Sequence, residues 1–125
     1  MSEKKRFFPG RAPIDAYGNG GFRFADMSHR GSLLLLPSGI YAWKINSPKE
    51  LSPSKLEQVL AERETIDFLL LGTGERQLLP PASVRSAFDE ADIGLEVMDT
   101  GAAARTYNVL LGENRAVAAA LIAVD

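Results

Sequence analysis

A chain of 125 residues, 46% of them hydrophobic, is long enough to bury a core of its own as one domain. It contains no cysteine, which excludes disulfides, thiolate nucleophiles and cysteine-ligated zinc or iron–sulfur centres. Its 14 Lys and Arg against 16 Asp and Glu leave a net charge of −2, without the basic bias of a nucleic-acid binder, so no nucleic-acid partner is expected.

The N-terminal basic cluster Lys4, Lys5, Arg6 and Arg11 reads as a solvated end, with residues 1–10 flexible and 1–125 forming a single domain. The first twenty residues hold no apolar secretory core. No apolar run reaches the ~20 residues of a membrane helix. A cytoplasmic chain is expected, with any association to a membrane complex peripheral.

Ile14 to Tyr17 and Phe22 to Phe24 flank Gly18-Asn19-Gly20-Gly21, a hairpin signal, because Gly and Asn tolerate positive φ. Leu33 to Leu36 and Ile40 to Ile45 flank Pro37-Ser38-Gly39, a second hairpin. Ser52 before Pro53 predicts a helix start, followed by Leu56, Val59 and Leu60 at helical spacing. Ile66 to Leu71 predicts a strand whose Leu69-Leu70-Leu71 run implies burial on both faces. Pro81 opens a second predicted helix, with Val84, Ala87, Phe88 and Ala91 on one stripe and Gly94 as its stop. Leu95 to Met98 is a predicted strand. Thr100 caps a third helix carrying Ala103 and Tyr107 and ending at Gly112, and Ala116 to Val124 is the last strand. The pattern predicts an α/β fold of three layers: a mainly parallel four-stranded sheet with flanking helices, plus a small N-terminal antiparallel β-layer.

Catalytic signatures are sparse. Gly72-Thr73-Gly74 follows a buried strand, but a dinucleotide fingerprint would need glycine where Gln77 stands, and no phosphate-loop Gly-Lys-Ser/Thr occurs. His29 is the lone histidine, too little for zinc, and no Gly-x-Ser-x-Gly elbow accompanies it. Asp89, Glu90 and Asp92 read as a solvated edge. No catalytic residue, metal site or cofactor is assigned. One constellation remains. Thr73 and Thr100 each follow a predicted parallel strand, and ligand crevices form outside the carboxyl ends of such strands. Gly72, Thr73, Gly74, Arg76, Thr100 and Arg105 are therefore the candidates for binding a ligand or a partner.

Five segments in order carry a resemblance: Gly-Thr-Gly at 72–74, Leu-Pro-Pro at 79–81, Gly-Leu-Glu-Val-Met-Asp-Thr at 94–100, Arg-Thr-Tyr-Asn-Val-Leu at 105–110 and Glu-Asn-Arg-Ala-Val-Ala-Ala-Ala-Leu at 113–121. Together with Ile14 to Phe22 they make the chain, over about residues 8–123, resemble a family of small domains of unknown function. That family includes a mitochondrial assembly factor for respiratory complex I and an adipogenesis-associated protein of animals. The resemblance implies a three-layer fold, protein partners met during construction of a membrane complex, and no established enzymatic activity. No mitochondrial transit segment is expected from these residues, a departure from the assembly-factor branch. Two readings stay open: a non-catalytic interaction or assembly domain, and a small-molecule binder or enzyme using the crevice near Thr73 and Thr100.

Overall fold

The computed structural model describes residues 6–125. Strand β1 spans Arg6–Phe8, β2 Ala16–Gly18, β3 Gly21–Phe24, β4 Met27–Arg30, β5 Ser32–Leu36 and β6 Gly39–Trp43. Helix α1 spans Glu57–Leu60, then follow β7 (Phe68–Gly72), α2 (Ala82–Glu90), β8 (Gly94–Met98), α3 (Thr100–Gly112) and β9 (Val117–Leu121). Both expected hairpins form. Asn19 and Gly20 have φ of 52° and 79° and close a two-residue turn between Gly18 and Gly21, as the primed turns of hairpins require.

The sheet differs from the expected one. Among the described residues it has six strands, in the order β1-β6-β5-β9-β7-β8. The stretches expected to run parallel, at 66–71, 95–98 and 116–123, do so as β7, β8 and β9, with β7 in the middle. The fourth expected parallel member, β6, stays hairpinned to β5, and β5 pairs antiparallel with β9, so the sheet is mixed. The reason lies in Leu33 to Leu36, all buried. A strand apolar on both faces belongs in a sheet interior, not in a two-sided outer layer. The antiparallel β-layer is thus only β2-β3-β4. β1 joins the far edge through β6, and residues 1–5 of the N-terminal stretch lie outside the described residues.

Two cores sandwich the large sheet. Leu69 and Leu71 of β7, with Ala118 and Ala120 of β9, face Leu56, Val59, Val84 and Phe88 of the α1/α2 layer. Leu70, Ala119 and Leu121 face Ala103, Ala104 and Tyr107 of α3, with Phe22 and Phe24 of the small sheet in the same cluster. The alternation along each strand is the period of two expected for side chains on a pleated sheet.

Local stops also depart from expectation. The helix predicted after Ser52 is a 3-10 turn, Pro53–Leu56, leading into the single turn of α1; Ser52 bonds the Ser54 hydroxyl and caps nothing. Helix α2 ends in a left-handed residue, but it is Asp92, at φ 59°, with Ile93 N–H bonding Phe88 O and Asp92 N–H bonding Asp89 O. Gly94 lies in β8 instead, where a Cβ would come within 2.9 Å of Phe68 Cβ. Helix α3 is capped by Asp99, whose carboxylate accepts from Ala102 N–H at 2.8 Å, while Thr100 is the first helical residue.

Candidate functional site at the carboxyl ends of the parallel strands

Because β7 and β8 are neighbours, the loops after them meet as the sequence predicts. Thr73 N–H bonds Met98 O at 2.9 Å, and Thr100 N–H bonds Gly74 O at 2.8 Å. A cleft of about 440 Å³ opens beside them, walled by Thr73, Gly74, Glu75 and Arg76 on one side, Asn46 to Pro48 on another, and Ile122 to Asp125 beyond β9.

The hydroxyls of both threonines are engaged within the fold. Thr100 is wholly buried, and its hydroxyl donates to Ile122 O at 2.7 Å while accepting from Gly74 N–H at 3.0 Å. The Thr73 hydroxyl lies 2.5 Å from Arg76 O and 3.2 Å from Met98 O, and accepts from Leu78 N–H at 3.0 Å. A hydroxyl has one proton and two lone pairs, so little of either is left for a ligand. They hold three strand ends and a turn in register.

The other candidates separate. Gly72 is buried beneath the cleft, where a Cβ would meet Thr100 Cα at 2.9 Å and Leu121 Cδ2 at 3.1 Å. Gly74 lines the cleft with φ of 108°, a conformation that favours glycine. Arg76 lies exposed on the rim beside Glu75. Arg105 is elsewhere: its guanidinium donates to the Tyr17 hydroxyl at 3.1 Å, joining α3 to the small sheet. The structure therefore gathers Gly72, Thr73, Gly74, Arg76 and Thr100 around one loop junction and leaves Arg105 out. His29, half-buried on β4, places Nε2 3.1 Å from Ser32 O.

Three polar anchors escaped the sequence reading. Asn108 grips Ile14 through both amide atoms, at 2.8 Å each, fixing the segment before β2 to α3. Glu62 bonds the Ser38 hydroxyl at 2.5 Å in the turn between β5 and β6. Arg11 donates to Arg115 O at 2.6 Å and Val117 O at 3.2 Å, so it is an anchor and not part of a solvated end. Each pairs residues far apart in the chain, and no local pattern marks such partners.

Among the described residues, no helix is long and apolar enough to cross a membrane. A family model described as a protein of unknown function, DUF498/DUF598, matches residues 14–122. An uncharacterized protein of Rhodobacter capsulatus is 35% identical over 98% of this chain and 93% of its own length. The human NADH dehydrogenase [ubiquinone] 1 alpha subcomplex assembly factor 3 is 30% identical over 87% of this chain, which spans 59% of that protein's length. A solved structure, called an outer membrane protein of Bartonella henselae, superposes with a TM-score of 0.91 at 55% identity, covering 94% of this chain and 99% of that one. Their agreement along nearly the whole chain places it in one family: the protein belongs to DUF498/DUF598.

Proposed function

We propose that this chain is a non-catalytic protein-interaction domain that helps assemble a multi-subunit complex at a membrane. The observation that carries the reading is its likeness to the human assembly factor over most of the chain. The site geometry supports it, since both threonine hydroxyls at the cleft are engaged in holding the fold. A small-molecule binder would need converging polar groups free to meet a ligand. The cleft offers charged side chains at its rim instead. The partners are proteins, not nucleic acid, in keeping with the net charge of −2. The chain sits in the cytoplasm and touches the membrane only through them.

The test is capture of the tagged chain at native abundance after crosslinking, against a charge-matched control. Subunits of one membrane complex should be enriched, and deletion of the gene should reduce the assembled complex on native gels. Fractionation should release the chain from membranes with salt. Enrichment no greater than in the control, with assembly unchanged on deletion, would sink the proposal.

A further inference from the structure

Among the described residues the large sheet ends at β8, which has a strand neighbour there only on the β7 side. Gly94 N–H bonds Asp67 O and Met98 O accepts from Thr73 N–H, so Gly94 and Met98 turn their backbone groups toward β7. By the alternation of a strand, Leu95 and Val97 turn theirs outward. Val97 O is met by the Gln77 side-chain amide at 3.0 Å, a single exposed hydrogen bond standing where a ladder would run. Leu78 and Leu79, next in the chain, are 45% and 74% exposed. Natural sheets guard such edges with lysine, proline, a bulge or a covering helix. β8 carries neither lysine nor proline, and its register with β7 is unbroken.

Charge tells which partner fits. From Ser86 to Ala104 the chain has no Lys or Arg, while Asp89, Glu90, Asp92 and Glu96 are exposed and Asp99 caps α3. Two such edges brought together would repel, which disfavours pairing with a second copy. An extended segment rich in Lys or Arg meets both requirements, with backbone groups for the ladder and cations for the carboxylates.

We propose that β8 is a docking edge to which a basic, extended segment of a partner protein adds as a further strand, displacing the Gln77 amide from Val97. This rests on the reading of the chain as an interaction domain and names the chemistry of its partner.

The experiment titrates the whole chain with a blocked heptapeptide alternating lysine with valine, followed by calorimetry and by amide shifts in β8. Controls are the same peptide methylated on the backbone nitrogens of one edge, and a glutamate–valine counterpart. Val97→Pro removes an outward N–H that β7 does not use, and Glu90→Lys with Glu96→Lys changes only exposed side chains, so at least one variant should keep the fold. Saturable binding is expected, weakened at least about tenfold by the methylated or acidic peptide and by either folded variant. Absence of binding, equal binding of the methylated peptide, or indifference to the charge reversal would overturn the proposal. So would a wild-type dimer that dissociates in Val97→Pro, because a second copy would then occupy the edge. Partner capture by the wild-type chain would survive any of these results, so the docking edge and the interaction reading fail separately.

Discussion

The Thr100 hydroxyl sits between Gly74 N–H and Ile122 O with no solvent contact. Thr100→Val keeps the shape and removes both hydrogen bonds, leaving buried groups unpaired at a cost of about 1–3 kcal/mol. Thr100→Ser keeps the hydroxyl and loses one methyl, about 1 kcal/mol. Urea midpoints should therefore fall in the order wild type, Ser, Val. A serine variant less stable than the valine variant would mean that packing, not hydrogen bonding, holds this position. At this scale the sequence showed where the junction is but not what its side chains do. A threonine after a strand can face solvent or turn in to satisfy the backbone. Which it does depends on Gly72 admitting Thr100 Cα, a contact between residues 28 apart in numbering. Arg105 illustrates the same limit, since its partner Tyr17 is brought to α3 by the small sheet.

Helix α2 and its exit show how element boundaries are settled by three-dimensional neighbours. Gly94 has the residue type of a helix stop, yet Asp92 holds the left-handed position and Gly94 lies against Phe68. Two substitutions should then move stability in opposite directions. Asp92→Gly relieves a left-handed conformation at φ 59° and should stabilise by up to about 1 kcal/mol. Gly94→Ala forces a Cβ to within 2.9 Å of Phe68 Cβ and should destabilise by about 1–3 kcal/mol. Thermal melts of the two variants check the pair, and a destabilised Asp92→Gly or an unaffected Gly94→Ala would contradict these placements. Element types were largely legible, because periods of two and 3.6 are written in the side chains. Sheet membership was not. The buried run Leu33 to Leu36 carried the clue that its strand is internal, but the choice of β9 as its other neighbour is a long-range matter. The expected helix after Pro53 shrank to turns, since only Leu56, Val59 and Leu51 sink into the core there, a short stripe for a long helix.

For the molecule as a whole, Tyr107 is a sensor of integrity on the α3 side of the sheet. Burial pushes its hydroxyl above the ordinary 10.0, and the positive Arg11 beside it opposes part of that rise. The native state therefore keeps this proton at a pH where the unfolded chain releases it. Stability from this source is whole below about pH 10 and declines as pH rises beyond it. Tyr107→Phe should abolish that decline and lose the hydroxyl's hydrogen bond with Arg11 at every pH, so the gap between the denaturation midpoints of wild type and variant should change only in the alkaline range; parallel curves would contradict the linkage. The sheet order has a consequence for how the chain is made. Strand β9 follows every other strand in sequence yet lies between β5 and β7. Until it is synthesised, β1-β6-β5 and β7-β8 are two separate ribbons, each ending in a naked edge of leucines. A ribosome-bound chain in that state resembles an aggregation template more than a folding domain. Nascent chains stopped just before Val117 should need a chaperone's cover, whereas those reaching Leu121 close the seam with five small or branched residues and lose both edges at once.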